Sequence, residues 1–243
     1  MNVSSQTELG KKKLLRFGEL GTLEKVFEPT VEEVLRKDYH LKGKWRSKVF
    51  GNENPLILEL GCGKGEYSVG LARNYPNCNY LGIDIKGARI WTGARTAHDE
   101  GLSNVAFLRT RIDFIQSFFA KDEVDELWIT FPDPQEKRRR KKKRLSGAHF
   151  LNKYSSFMKD NGVIHLKTDN KLLYIDTLEL ARYNDLKIEK NSDNIYRERW
   201  EDETVSIQTY YETSFLTEGA SISYIRFRLP ANKEIKELHH DIH

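Results

Sequence analysis

A carboxylate followed by three alternating glycines is the first group of residues in this chain that could bind a small ligand. Glu59 precedes Gly61, Gly63 and Gly65 in an E-x-G-x-G-x-G pattern. This pattern begins within the apolar run LILEL and extends beyond its end. Glycines at a strand-to-helix turn let backbone N–H groups approach a ligand closely. The spacing differs from the G-x-G-x-x-G of dinucleotide-binding loops, and a carboxylate beside the loop would repel a pyrophosphate. The pattern favours a ligand with an ammonium or sulfonium cation, and a purely structural turn is the alternative.

Three further positions are candidates for the same ligand. Asp84 ends the run YLGID about 20 residues after the glycine loop, where a carboxylate can accept hydrogen bonds from both hydroxyls of a ribose. Asp84 could instead cap the helix that follows it. Arg111 and Asp113 follow the next predicted strand, where contact with an adenine is expected, and Asp113 is an equally good candidate for a helix cap.

Asp133 lies between two prolines, directly after the predicted strand LWITF. In open α/β sheets ligands bind outside the carboxyl ends of the strands, so Asp133 is expected at the same edge as the glycine loop. Residues 137–144 follow as KRRRKKKR, and these eight cations leave the rest of the chain net acidic although the whole carries +4. A cationic segment on an acidic domain is typical of a polyanion-binding site. A solvated loop or a nuclear-localisation tract is the alternative.

Short apolar runs that alternate with amphipathic segments from residue 55 onwards predict the elements that position these side chains. The pattern indicates an α/β fold with a doubly wound, mostly parallel sheet and a terminal antiparallel hairpin. The predicted strands are Leu56–Leu60, Tyr80–Ile83, Val105–Leu108, Leu127–Phe131, Val163–Lys167, Leu186–Glu189, Thr204–Thr213 and Ser221–Leu229. The predicted helices are Glu66–Asn74, Ala88–Glu100, Phe114–Phe119, Ala148–Lys159 and Lys171–Tyr183.

The sequence divides into three predicted regions. Residues 1–50 form a basic, loosely ordered arm with one short helix near Thr30–Lys37, residues 51–230 form the domain, and residues 231–243 form a charged tail. The end of this tail, with its three histidines, is expected to be mobile.

Composition excludes several classes of protein. With 243 residues, of which 38% are hydrophobic, the chain can build one large domain with a buried core. It has no apolar run near the roughly 18 residues of a membrane span, and its N-terminus lacks the apolar stretch of a secretory signal. Two cysteines, with no His/Cys cluster at zinc spacing, argue against a disulfide framework or a metal site. We therefore expect a cytoplasmic protein that uses neither a metal nor a membrane.

The motifs taken together resemble those of the bacterial-type tRNA (guanine-N7-)-methyltransferases, Rossmann-like enzymes that depend on S-adenosylmethionine (AdoMet). The resemblance rests first on FPDP followed by Lys137, the basic run and Leu145. Other matching segments occur in the family's order and cover most of residues 11–229. They are KKKLLRF at 11–17, VFEP at 26–29, ELGCGKG at 59–65, YLGID at 80–84, HFL at 149–151, HLKTDN at 165–170, and Thr209-x-x-Glu212 with Phe215.

The resemblance implies methyl transfer from AdoMet to N7 of a guanine in the variable loop of tRNA. It implies AdoMet contacts at Glu59, Asp84 and Asp133, with Asp133 at the catalytic centre and the glycine loop at the methionine end. The residues that it implies around the target nucleotide are Lys137, Asp169, Thr209, Tyr210, Tyr211 and Glu212. Those that it implies in contact with tRNA are Arg139, Arg140, Lys141, Lys142, Lys143 and Arg144.

Two positions depart from the family's pattern. Gln135-Glu136 stand where the family has Trp-Pro or Trp-His, and Arg111 stands where the family has an adenine-side carboxylate. The alternatives are an AdoMet methyltransferase that acts on another RNA or a protein, a nicotinamide-dependent dehydrogenase, and a non-catalytic RNA-binding protein on a methyltransferase scaffold. Affinity for AdoMet would separate the methyltransferases from the last two classes.

Overall fold

A mixed sheet forms the centre of the protein, which a computed structural model describes over residues 15–16, 18–231 and 233–238. The strands in this part of the chain are β1 (Val26–Phe27), β2 (Leu56–Leu60), β3 (Asn79–Asp84), β4 (Val105–Arg109), β5 (Val124–Thr130), β6 (Met158–Thr168), β7 (Ile188–Ser192) and β8 (Ser223–Leu229). Their order is β1-β4-β3-β2-β5-β6-β8-β7. All pairs among β1 to β6 are parallel, and β8 is antiparallel to both of its neighbours. This topology confirms the predicted α/β class and the antiparallel end of the sheet.

Helices cover both faces of the sheet. In the described residues the α-helices with complete bounds are α1 (Val31–Val34), α2 (Glu66–Asn74), α3 (Gly87–Asp99), α4 (Ala148–Tyr154), α5 (Lys171–Tyr183), α6 (Glu203–Ser206) and α7 (Tyr210–Thr217). A π-helix spans Trp45–Phe50, and 3-10 helices span Ile112–Ser117 and Arg138–Lys143.

The alternation of side chains along β2 creates two separate cores. Leu56, Leu58 and Leu60 pack with residues of α4 and α5 on one face, whereas Ile57 packs with residues of α2 and α3 on the other. Successive side chains of a strand point to opposite faces, so a strand covered on both sides becomes apolar throughout. Glu59 is the exception in β2, and it lies on the face that α2 covers.

Several predicted elements differ from the structure in type or in bounds; for example, the strand predicted at Val163–Lys167 begins five residues earlier. The strand predicted at Thr204–Thr213 is wrong, because α6 and α7 occupy that region. The helix predicted at Ala148–Lys159 ends at Tyr154, and β6 begins four residues later. The helix predicted at Phe114–Phe119 is a 3-10 helix that begins and ends two residues earlier.

Residues 18–50, which belong to the predicted N-terminal arm, form ordered elements that pack against the rest of the protein. β1 pairs with β4, and Leu20, Val34 and Trp45 are fully buried. The Nε1 of Trp45 donates a hydrogen bond to the carbonyl oxygen of Phe118 at 2.8 Å. These apolar residues follow no sequence period because each packs against a distant part of the chain. Residues 1–14 and 17, with most of the KKKLLRF motif, lie outside the described residues.

Two asparagine side chains hold the C-terminal segment 233–238. Asn152 donates to the carbonyl of Ile235 and accepts from its N–H, both at 2.8 Å. Asn184 does the same with Lys236, at 3.0 and 2.8 Å. Ile235 is buried in the core between these contacts. The predicted mobility concerned His239, His240 and His243, which lie outside the described residues.

Candidate active site

The glycine loop between β2 and α2 has a conformation that requires glycine. Gly61, Gly63 and Gly65 have φ values of +75°, +56° and +70°, a region that residues with a Cβ rarely adopt. A Cβ at Gly65 would lie 2.5 Å from the ring of Phe107, whereas one at Gly61 would meet no protein atom within 4 Å. The loop is therefore packed tightly at Gly65 and open to a cavity at Gly61.

Asp84 at the end of β3 holds this loop in place. One of its carboxylate oxygens accepts a hydrogen bond from the N–H of Gly63 at 2.9 Å, and the other accepts from the N–H of Lys86 at 2.7 Å. Asp84 thus fixes the glycine loop and the start of the next helix at once. Each carboxylate oxygen can accept a second hydrogen bond, so these contacts leave Asp84 able to bind a ligand.

Two cavities open at the carboxyl ends of the parallel strands, and Gly61 lines both. The first has a volume of about 430 Å³ and is lined by Asp84, Ile85, Thr110, Arg111, Ile112, Asp113, Lys143, Leu145 and Phe150. Arg111 and Asp113 both reach it, and their charged groups are 2.9 Å apart. Arg111 and Asp113 were the two candidates for contact with an adenine, and in the structure they form an ion pair beside this cavity. Lys143 was predicted to contact RNA, and its place beside this cavity had no signal in the sequence.

The second cavity brings together the acidic residues that were predicted from separate motifs. It has a volume of about 340 Å³, and Glu59, Asp133 and Asp169 all line it. Thr209, Tyr211, Lys64 and Arg89 also line it. Burial raises the pKa of Asp169 above its usual range. This site combines carboxylates, aromatic rings and two cations within one opening.

Glu59 lines the second cavity, is buried, and has hydrogen bonds to both of its carboxylate oxygens. One carboxylate oxygen accepts from the N–H and the hydroxyl of Ser68, and the other accepts from the hydroxyl of Thr130 at 2.6 Å. Burial raises the pKa of Glu59 to about 7, although these hydrogen bonds oppose the shift. A cation beside the carboxylate would favour its charged form.

The loop that carries Asp133 contains two residues with positive φ, Phe131 at +46° and Gln135 at +48°. Asp133 is exposed, and its carboxylate accepts a hydrogen bond from the N–H of Gln135 at 3.0 Å. Glu136 accepts from the side-chain amide of Asn170 at 3.0 Å. The two residues that depart from the family's pattern therefore orient Asp133 and attach its loop to α5.

Thr209, Tyr210 and Tyr211 lie at the start of α7. The hydroxyl of Thr209 accepts from the N–H of Glu212 at 3.2 Å and caps the helix. Tyr211 lines the second cavity, whereas Tyr210 lies outside it with Nζ of Lys64 4.0 Å above its ring. Thr209 and Tyr211 are therefore the two members of the T-x-x-E motif that face the cavity.

Glu212 points away from the cavity into the core. It is fully buried, lies 2.8 Å from Nζ of Lys167 and accepts from the hydroxyl of Tyr196 at 2.7 Å. Burial lowers the pKa of Lys167, and the charge of Glu212 opposes this shift. The sequence predicted Glu212 beside the target base, but its contacts are those of a buried ion pair.

The basic tract, defined as residues 137–144, presents only part of its charge to solvent. Lys137, Arg139, Arg140, Lys142 and Lys143 are exposed. Arg144, predicted to contact tRNA, is instead buried against Asp176 and the carbonyl of Pro134. Lys141 is partly buried, with its Nζ 3.7 Å from Asp176.

The described residues lack two further kinds of functional feature. No helix in this part of the chain is long and apolar enough to cross a membrane. The same residues contain no group of three or more His, Cys, Asp and Glu side chains arranged to hold a metal ion.

The chain is similar in sequence and in fold to several known methyltransferases. A family model described as "Putative methyltransferase" matches residues 53–224. The tRNA (guanine-N(7)-)-methyltransferase of Christiangramia forsetii is 48% identical over 90% of this chain and 98% of its own. That of Bacteroides thetaiotaomicron is 44% identical over 94% of this chain and 90% of its own. A solved structure of an antibiotic-related methyltransferase has a TM-score of 0.55 at 19% identity over 79% of this chain and 96% of its own, a similarity of fold.

Proposed function

The chain belongs to the tRNA (guanine-N(7)-)-methyltransferase family, and from this we propose that it transfers the methyl group of AdoMet to N7 of a guanine in the variable loop of tRNA. The observation that carries the proposal is the pair of cavities that share Gly61. One is lined by groups suited to an adenosine, and the other by groups suited to a purine base and a cationic ligand.

The residues around the first cavity fit AdoMet, whose bound sulfonium would supply an activated methyl group. Asp84 can accept hydrogen bonds from ribose hydroxyls, and Ile85 and Phe150 offer apolar surface to an adenine. Arg111 and Asp113 lie where they can hydrogen-bond the edge of that base. The open space at Gly61 leads to Glu59, whose charged form favours the ammonium and sulfonium groups of the methionine end.

The second cavity fits a guanine. Guanine N7 has an in-plane lone pair and carries no proton, so the protein needs no general base to make it a nucleophile. The carboxylates of Asp133 and Asp169 can accept hydrogen bonds from the N1–H and N2–H₂ groups, which adenine does not offer in this arrangement. They can also stabilise the positive charge that reaches the purine during transfer.

The remaining contribution of the protein is alignment. Holding two reactants in line removes the entropy of their encounter from the barrier and accounts for a large share of catalysis in transfers of this kind. Tyr211 and Thr209 border the same cavity as Asp133. We assign them, with Lys137 at the start of the basic tract, to holding the nucleotide in that position.

The exposed cations of the basic tract suit the phosphate backbone of tRNA. Arg139, Arg140 and Lys142 lie on a 3-10 helix that directly follows the Asp133 loop. Contacts of this kind supply affinity and orientation, and their strength falls steeply with salt. We propose that this helix anchors the tRNA next to the cavity that receives its guanine.

Methyl transfer from labelled AdoMet to unmodified tRNA transcripts tests the proposal. Reduction and aniline treatment then break the product at N7-methylguanosine, and we expect one cleavage in the variable loop. A transcript with adenosine at that position is the matched control and should accept no label there. Label at another position would show that the protein is a methyltransferase with a different target nucleotide. Binding of tRNA without any incorporation or AdoMet affinity would instead support a non-catalytic RNA-binding protein.

A further inference from the structure

Arg144, the last cation of the basic tract, faces the protein interior. It is 5% exposed, whereas its neighbours Lys142 and Lys143 are exposed to solvent. Its Nε donates a hydrogen bond to the carbonyl oxygen of Pro134 at 2.9 Å, and its Nη1 donates to the carboxylate of Asp176. Its charged group is therefore already engaged by protein oxygens.

The carbonyl that Arg144 holds belongs to the loop of Asp133. Few soft torsions separate Asp133 from this carbonyl, because the ring of Pro134 fixes its φ. The N–H of Gln135, on the other side of the same peptide bond, donates to the carboxylate of Asp133. An anchor on the Pro134 peptide thus sets both the position and the orientation of the Asp133 carboxylate.

The other end of this anchor is α5, a well-packed helix. The side chains of Leu173 and Leu180 are buried on its inner face, and Asp176 lies between these two residues in the sequence. The hydroxyl of Thr177 lies 2.7 Å from that of Ser146, which attaches the chain just after Arg144 to the same helix. α5 therefore holds the segment that follows the Asp133 loop at successive residues.

We propose that Arg144 is a positioning residue for methyl transfer, which connects the Asp133 loop to α5 through Pro134 and Asp176. This inference rests on the proposed function and adds a residue outside both cavities to it. The basic tract then has two separate roles. Its exposed cations bind RNA phosphates, and its buried arginine holds the catalytic loop beside that RNA.

Arg144→Lys tests this role because it keeps the charge but loses the planar group that reaches two acceptors at once. We expect the single-turnover rate at saturating AdoMet and tRNA to fall about 10- to 100-fold, the effect of a small misplacement of a reacting group. Both dissociation constants and the salt dependence of tRNA binding should stay near the wild-type values. Amide exchange at Asp133 and Gln135 should become faster.

Arg46→Lys is the matched control. Arg46 also bridges a carbonyl oxygen, that of Asn54 at 3.0 Å, and an aspartate, Asp125 at 2.6 Å. This bridge lies at the start of β2 and β5, the edge of the sheet opposite Asp133. A purely structural effect of losing such a bridge would lower Tm in both variants, but only Arg144→Lys should reduce the single-turnover rate.

Asp176→Asn gives a second test that leaves Arg144 in place, and it should reduce the single-turnover rate in the same direction. If Arg144→Lys does not fold at the assay temperature, the rate of Asp176→Asn tests the positioning role instead. A wild-type rate in either folded variant overturns the positioning role. If the wild-type protein itself transfers no methyl group, the proposed function fails instead.

Discussion

Nζ of Lys167 lies 2.8 Å from the carboxylate of Glu212, and both side chains are fully buried. Lys167 is near the end of β6, two residues before Asp169, and Glu212 is in the first turn of α7. The ion pair therefore fastens the start of α7, with Thr209 and Tyr211, to the strand that leads to Asp169. The Lys167–Glu212 ion pair lies outside the second cavity, but it fixes the position of Thr209 and Tyr211 relative to Asp169 within that cavity.

Glu212→Gln should destabilise the protein strongly because it leaves the ammonium of Lys167 buried without a counter-charge. Loss of one partner of a buried pair typically costs about 3–5 kcal/mol in the free energy of unfolding. Urea denaturation at pH 7 measures this change. The double variant with Lys167→Met should lose less than Glu212→Gln alone, since no unpaired charge is left. Equal losses would contradict a buried charged pair.

The affinity for AdoMet should depend on pH through Glu59. Burial holds the pKa of this carboxyl at about 7, and only its charged form attracts a cationic ligand. The dissociation constant should therefore rise about tenfold for each unit of pH below 7, because binding must then release one proton. Titration calorimetry between pH 5.5 and 7 in buffers of different ionisation enthalpy measures both the affinity and the proton. Glu59→Gln should bind weakly with a flat profile.

The same pKa sets the sign of a change in stability. The folded protein keeps the proton of Glu59 up to about pH 7, whereas the unfolded chain loses it near 4.5. The folded state therefore binds more protons between these values, and the contribution of Glu59 to the free energy of unfolding falls as pH rises through this window. Thermal unfolding of Glu59→Gln should lack this decline.

Asp133→Asn should reduce catalysis while leaving the fold and most tRNA affinity intact. The side chain is exposed, and the hydrogen bond from the N–H of Gln135 can be accepted by the amide oxygen as well. Loss of one charged group at a transition state typically lowers the rate about 10²- to 10³-fold. Single-turnover assays test this, with Asp38→Asn, an exposed aspartate in an i,i+4 pair, as the control. An unchanged rate would remove Asp133 from the catalytic centre.

Replacement of Arg139, Arg140 and Lys142 by Gln should weaken tRNA binding and reduce the salt slope by roughly 2–3 units, since each phosphate contact contributes roughly 0.7–0.9. Filter binding at several salt concentrations measures the slope. Replacement of Lys44, Lys48 and Lys121, exposed lysines near the opposite edge of the sheet, changes the net charge equally and should leave the slope unchanged. Equal effects of the two triple variants would mean that only net charge matters.

Much of the fold could be predicted because its elements are continuous and strongly patterned. β2, α2 and α5 have the predicted bounds, since apolar runs and helical periodicity mark them clearly. Residues 204–213, which are rich in β-branched and aromatic side chains, were predicted as a strand but contain parts of two helices. The T-x-x-E spacing of Thr209 and Glu212 is a capping signal that could have identified the helix there. The division into arm, domain and tail, and the cytoplasmic location, stay predictions.

The residues that meet in the cavities could also be predicted, because motifs at the carboxyl ends of parallel strands converge at one edge. Burial could not be predicted. Nothing among eight consecutive cations distinguishes Arg144, whose direction depends on Asp176 in a helix 32 residues later. In the same way, the resemblance implied a place for Glu212 around the target nucleotide, and nothing in the sequence indicates that its carboxylate pairs with Lys167 in the core. Charged residues that are far apart in the sequence but paired in the folded protein can be identified only from the structure.

The side-chain amides of Asn152 and Asn184 each donate to the carbonyl and accept from the N–H of one backbone residue, Ile235 and Lys236 respectively. Peptide-binding proteins bind the backbone of their ligands through contacts of the same kind. The C-terminal segment is in this sense a ligand that the chain carries with it, present at a high effective concentration because it is covalently linked. A chain cut before residue 233 would leave the side chains of Asn152 and Asn184 without these backbone partners and would expose the apolar surface that Ile235 covers. A synthetic peptide of that sequence, added in trans, would have to reach millimolar concentration to replace it.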